Sequence, residues 1–283
     1  MRTYFFVVVW ALICVLCVAS ARADAPELEA AAGRFALGGS VGIFGDAQAT
    51  SSVYVTTYRL GALYAIDERF AVTLDAGMVL LRSSPSKGDG DWAVRPGNPT
   101  GFGLMRGAWG DLRYQFGVGA AAPIATVKRD GAGPLQHAAL NYAAAIDGLW
   151  NEWQWATNRT AAIVRSTFEL PVVDKSWLVL TLAPTVYFPA WEDFGDDSVD
   201  VVLPLALSFG ARHRVVWFGA RGQAVIMPMG DPDMLQLAVG PFIRVVIGSG
   251  FIEARTQANL DEPLAGKRGP GIWGLHVGGG GAL

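Results

Sequence analysis

From Arg34 to the end of the chain, apolar residues recur at every second position, and that rhythm limits the chain to long strands. Between residues 53 and 66 one face carries Tyr54, Tyr58, Leu60, Ala62, Tyr64 and Ile66, and the other carries Val55, Thr57, Arg59 and Gly61. A period of two is the strand period, because successive side chains point to opposite faces; a helix would repeat every three to four residues. Twelve such runs follow one another, at 34–44, 53–66, 70–80, 102–107, 112–118, 164–170, 178–188, 199–209, 216–226, 235–247, 252–258 and 273–283. Most have ten or more residues, about twice an ordinary strand. Tyr54 and Tyr64 stand far enough apart to mark the two borders of an apolar band ~25 Å tall. The connections alternate as well. Short turns fall near Asp67-Glu68, Trp109-Gly110, 171–176, 211–213 and Ser249-Gly250, with longer polar loops at 45–51, 82–100, 128–159, 190–198, 228–233 and 261–270. A soluble β-sandwich gives no reason for this short–long order. The expected fold is therefore all-β: a single antiparallel transmembrane β-barrel of about 12 strands, with short periplasmic turns and long extracellular loops.

The N-terminus and the composition agree with export to a membrane. Arg2 precedes an apolar run of about 15 residues from Tyr4 to Val18, too short for the ~20 that a spanning helix needs, and Ala21-Arg22-Ala23 supplies a small-x-small cleavage pattern. The expected organisation is a signal peptide at 1–23 and one barrel domain at 24–283. Cys14 and Cys17, the chain's two cysteines, lie in the leader, so the mature protein is expected to have neither disulfides nor a cysteine metal site. The chain is 52% hydrophobic and its mean hydropathy is +0.31, yet no second long apolar run exists; apolar residues spread over alternate positions of a barrel wall account for both. Loss of Arg2 and Arg22 takes the formal charge from −3 to −5, which disfavours a nucleic-acid partner.

The leader, the strand rhythm and the apolar last strand resemble proteobacterial outer-membrane β-barrel proteins. Gly97-Asn98-Pro99, Gly110-Asp111-Leu112-Arg113-Tyr114 and Gly117-Val118-Gly119 are similar to stretches in uncharacterised members of transport or porin-like type. The resemblance implies an outer-membrane location, with lipid and lipopolysaccharide as neighbours and small solutes as passengers or ligands. The chain departs from the family at its end, where Leu283 follows the run Gly278 to Gly281 in place of an aromatic residue.

Charged residues on the polar face are the first functional candidates. Arg59, Arg113, Arg165, Arg221, Arg244 and Arg255 fall on it together with Asp75, Glu169 and Glu253. In a wide barrel such residues line an anion-favouring pore; in a narrow one they pair into a closed filling. Twelve strands lie between these cases. The expectation is a barrel that passes or binds small solutes through an arginine-rich lumen. The alternatives are a closed barrel with a structural or anchoring role, and a lipid-modifying barrel enzyme.

The loop 128–159 is the second candidate. Leu135, Ala139, Tyr142, Ile146, Leu149 and Trp153 recur at helical spacing, with Trp150, Trp153 and Trp155 crowded at the end. A short helix is expected there, as a lid over the barrel mouth, on the membrane interface where tryptophan is favoured, or packed on its neighbours. Asn158-Arg159-Thr160 matches a glycosylation sequon by chance. Acidic groups in the loops (Asp89 and Asp91; Glu192, Asp193, Asp196 and Asp197; Asp231 and Asp233) have the chemistry to hold Ca²⁺ or Mg²⁺ but lack an ordered ligand pattern, so no metal or cofactor is expected. No enzyme is expected either. His137, His213 and His276 form no metal motif, and His276 and Ser208, both inward on separate strands, are not paired by any spacing.

Overall fold

The computed structural model describes residues 35–46, 52–84, 91–127, 133–173, 175–190, 198–228, 235–260 and 272–282. The expected signal peptide at 1–23, Leu283 and the acidic positions Asp89, Glu192, Asp193, Asp196, Asp197, Asp231 and Asp233 lie outside the described residues. The strands are β1 (Phe35–Asp46), β2 (Ser52–Ala65), β3 (Phe70–Ser84), β4 (Asp91–Pro96), β5 (Thr100–Trp109), β6 (Leu112–Ala121), β7 (Arg159–Val173), β8 (Ser176–Leu182), β9 (Thr185–Pro189), β10 (Asp200–His213), β11 (Val216–Ile226), β12 (Leu235–Ile247), β13 (Gly250–Asn259) and β14 (Ile272–Ala282). Every neighbouring pair is antiparallel, and β14 pairs with β1 from Ala36↔Ala282 to Asp46↔Ile272, which closes the wall.

These fourteen segments make twelve strands, because two strands are each built from two pieces. β8 and β9 both lie between β7 and β10. The interruption between them is Pro184, which has no N–H; its carbonyl still accepts from the Val164 N–H at 3.0 Å, and the Ala183 N–H reaches the Pro204 carbonyl at 2.9 Å. β4 and β5 likewise share β3 as their partner. The expected loop at 82–100 is thereby corrected: its second half is a strand. Pro96, Gly97 and Pro99 hide the six-residue alternation of Asp91 to Pro96.

The alternation read from the sequence sets what each face of the wall meets. Tyr54, Leu60, Tyr64, Leu74, Val118 and Phe209 point outward and are exposed, whereas Val55, Thr57, Leu63, Val79 and Thr181 point inward and are buried. A continuous apolar outer belt of this kind is stable against hydrocarbon and not against water. This is a transmembrane barrel.

One irregularity in the wall positions the interior. Met78 opposes Pro96 and Asp75 opposes Thr100, so two residues of β3 face three, 97–99, on the other side. This β-bulge shifts the face parity by one: Ala93 is buried inward from β4, but Phe102 and Leu104 are the buried residues of β5. The Gly97 N–H still donates to the Gly77 carbonyl at 2.8 Å, while Asn98 turns away from the ladder with no exposed surface. Its N–H donates to the Gln154 carbonyl (2.6 Å) and its Nδ2 to the carbonyls of Trp153 (3.1 Å) and Ala156 (2.8 Å). Its Oδ1 accepts from the Ala125 N–H (2.7 Å). All these partners belong to the long segment between β6 and β7. Gly97 must lack a side chain, since a Cβ would stand 2.7 Å from the Gln154 carbonyl oxygen.

Asn98→Ala leaves one buried N–H and two buried carbonyls without these partners, at about 1–3 kcal/mol for each group. The expected outcome, measured by amide hydrogen exchange, is faster exchange across 147–156 with no change in the strands. Exchange identical to the parent at 147–156 would contradict the anchoring role.

Candidate functional site

The segment between β6 and β7 folds into the lumen. Its helix α1 (Gly133–Ile146) buries Ala139, Leu140, Ala143 and Ile146 against inward residues of the wall, Val55, Val79, Leu81 and Ala93. These lie in the long-loop half of β2, β3 and β4, so the helix enters from the long-loop mouth. The one-turn helix α2 (Glu152–Trp155) carries the chain back out. The neck is closed by Asn158: its Oδ1 accepts from the Val127 N–H (3.1 Å) and its own N–H donates to the Ala125 carbonyl (3.0 Å). Trp150 and Trp153 fill the lumen within one apolar cluster that includes Leu63, Phe102, Ile163 and Tyr187. Trp150, Trp153 and Trp155 are all buried inside the wall, away from its lipid-facing surface.

The tip of this plug is a helix end. Gly148 and Leu149 both adopt left-handed backbone, with φ of 58° and 63°. The Gly148 N–H donates to the Ala145 carbonyl (3.0 Å) and the Leu149 N–H to the Ala144 carbonyl (3.0 Å), the paired bonds of a Schellman cap. A side chain at residue 148 would collide with Gln223, Gln257 and Ala238, so the tip requires glycine for space as well as for φ. Gln223 Nε2 donates to the carbonyls of Asp147 (2.5 Å) and Gly148 (3.2 Å), and Asn259 Nδ2 donates to the Ala145 carbonyl (3.2 Å).

Asp147 sits at this helix end, where the partial charge of the unpaired carbonyls is negative and an acid is disfavoured. Cationic and polar groups of three strands offset that cost. Arg59 of β2 donates to its Oδ2 at 2.9 Å and Arg255 of β13 to its Oδ1 at 2.8 Å. His276 Nε2 of β14 lies 3.3 Å from Oδ1 and 3.2 Å from the Ile146 carbonyl. Burial alone would raise the Asp147 pKa; the charges of His276, Arg59 and Arg255 outweigh it and hold the carboxyl at about 2. Glu152 behaves oppositely. Burial raises its pKa to about 7, with Arg159 opposing and Asp200 adding to the rise. Arg159 is paired with Asp200, and Glu152 Oε2 has no hydrogen-bond partner.

The remaining sequence candidates fall at the following places. Arg221 lies over the Trp150 ring at 4.6 Å. Arg244 donates to Glu253, directly opposite on β13. Asp75 and Arg165 border a cavity beside the plug together with Arg59, Arg255, Trp150 and Asn151. Arg113 is exposed near the short-turn rim, opposite Glu169 in the ladder. Leu135 and Tyr142 are half-buried on α1. His276 contacts the plug, whereas Ser208 borders a different cavity, on β10. Among the described residues no three His, Cys, Asp or Glu side chains are grouped to hold a metal ion.

Sequence reasoning missed Asp147, Asn98 and Gln223. The first had a readable signal: an acid straight after an apolar helical stripe, followed by glycine, stands at a helix C-terminus and needs cations. Asn98 had none, because its partners are backbone groups more than twenty residues away.

No family model matches the chain, and no curated protein matches it either. Solved structures do. An outer-membrane channel from Pseudomonas putida F1 superposes with a TM-score of 0.63 at 12% identity, covering 93% of this chain and 100% of that one. The NanC porin gives 0.53 at 8% identity, over 87% and 100%. The β domain of the Bordetella autotransporter Brka gives 0.52 at 11% identity, over 89% and 100%. At these identities the likeness is one of fold: this chain has the architecture of outer-membrane β-barrels.

Proposed function

We propose that the protein is a gated outer-membrane channel, through whose lumen small solutes pass when the segment carrying α1 and α2 withdraws. The leader at 1–23 directs export, the outer belt meets outer-membrane lipid, and the long loops face lipopolysaccharide. The observation that carries the reading is the way the plug tip is held. A single carboxylate, Asp147, is shared by Arg59, Arg255 and His276, so one local change removes every ionic contact that holds the tip. On the inward positions of the described strands arginines outnumber carboxylates, with arginines 59, 113, 165, 221, 244 and 255 and the carboxylates Asp75, Glu169 and Glu253 among them. Withdrawal of the plug takes Asp147 and Glu152 with it and leaves an anion-favouring path. The alternative, a closed barrel with a structural role, draws its support from the packing of Trp150 and Trp153 in the lumen.

Asp147→Asn decides between them. Removing one partner of a buried charge cluster costs about 3 kcal/mol or more, roughly a hundredfold in the ratio of docked to withdrawn plug. In planar bilayers the parent is expected to show rare openings, and Asp147→Asn frequent, anion-preferring ones. Silence in both, from folded protein, would remove the channel and leave the closed barrel.

Proton dependence follows from the two acids of the plug. The Asp147 pKa is lowered on docking, so its contribution is complete above pH 4 and is lost only as pH falls through about 2. The Glu152 pKa is raised, so docking weakens as pH climbs from 4.5 through about 7. Opening is expected to be more frequent at pH 8 than at pH 5, and Glu152→Gln to remove that difference. A pH response that survives Glu152→Gln would assign it to another group.

A further inference from the structure

Below the plug tip, toward the short-turn end, the lumen keeps a second cavity, of about 40 Å³ and partly open. Its wall is aromatic on one side. Trp177 of β8 stands 6.0 Å from Trp217 of β11 and 5.8 Å from Phe242 of β12, between ring centroids. The same stretch of wall brings cations to it: Arg221 of β11, Arg244 of β12 and Arg255 of β13 border the cavity, with Glu253 the only carboxylate among its described lining residues. The plug roofs it through Gly148, which packs on Gln223 and Gln257.

The hydrogen-bond inventory of this cavity is unbalanced. The indole N–H groups of Trp177 and Trp217 and the Nε2 of Gln257 are buried and have no acceptor. Trp217 is 4% exposed and Gln257 7%. Buried donors without acceptors cost free energy, and a site that collects several of them beside guanidinium groups is complementary to an anion. The aromatic wall adds a further requirement, since a ring gains more from contact with these tilted rings than an aliphatic chain does.

We propose that this cavity is a binding site for a small aromatic carboxylate, with the ring against Trp177, Trp217 and Phe242 and the carboxylate among the indole N–H groups and Arg221. That the bound molecule is also the transported solute rests on the channel reading; the binding itself does not.

The test is a fluorine NMR titration of the refolded barrel in nanodiscs with 4-fluorobenzoate, using protein-free nanodiscs to subtract partition into lipid. The expected result is saturable binding that benzoate displaces. The neutral 4-fluorobenzyl alcohol should bind at least tenfold more weakly, because it lacks the charge that the donors await. Trp217→Phe keeps the ring and removes the donor; it should weaken 4-fluorobenzoate about tenfold, and Trp109→Phe, at the exposed rim, should not. Absence of saturable binding to the parent, or equal affinity for acid and alcohol, would overturn the site without recourse to any variant. A barrel that binds the probe but never conducts would keep the site and remove the channel. A barrel that conducts without binding would do the reverse.

Discussion

In hydrocarbon no water is available to satisfy a backbone N–H or carbonyl, so a wall built from strands must close on itself. Everything else in this molecule is arranged around that closure. The β1–β14 ladder completes the ring, and Pro184 and the 97–99 bulge interrupt individual rungs but not the circuit. Closure also commits the inner face. Each outward leucine or tyrosine obliges its neighbours to point into a space that lipid cannot fill. Twelve strands enclose more volume than the inward side chains occupy. The segment between β6 and β7 takes up much of the remainder.

That filling is electrostatically conditional. An apolar helix descends along the β2–β4 wall and ends on an aspartate, the residue least suited to a helix C-terminus. The wall answers with arginines from β2 and β13 and a histidine from β14, strands that meet around the seam at which the barrel closes. The plug is thus fixed at two unlike places. Asn98 ties both arms of the segment through neutral hydrogen bonds to their backbone, a pH-insensitive joint. Asp147 secures the tip through charge, beside the neutral bonds from Gln223 and Asn259. On the proposed channel reading, a segment hinged at one end and latched at the other would serve as the gate, and the cavity beneath it would hold the solute.

The wall was legible in the sequence because alternation is local: twelve runs, their facing and the order of short and long connections all follow from residues two apart. The first half of the β4–β5 strand was hidden because two prolines and a glycine break its pattern within nine residues. The helix in the long loop could also be read, from Leu135, Tyr142 and Ile146. Its depth could not, because whether tryptophans seek the membrane interface or the lumen depends on the space the whole ring encloses. The inward arginines were visible one at a time, but Arg59, Arg255 and His276 converge only through β1–β14 closure. Asn98 illustrates the general limit. A side chain that recognises backbone carbonyls leaves no complementary residue type elsewhere for a reader to find.

The account stands on the claim that Asp147 latches α1 inside the barrel, and thiol accessibility tests it directly. Expressed from Asp24 onward, the chain contains no cysteine, so Ala143→Cys places a single thiol on the buried face of α1 with little change in volume. The measurement is its rate of reaction with a bulky, membrane-impermeant maleimide, alone and combined with Asp147→Asn. The account predicts slow labelling in the first protein and labelling faster by one to two orders of magnitude in the second, in line with the cost of breaking a buried charge pair. Rapid labelling of Ala143→Cys by itself, or equal rates in the two proteins, would contradict it.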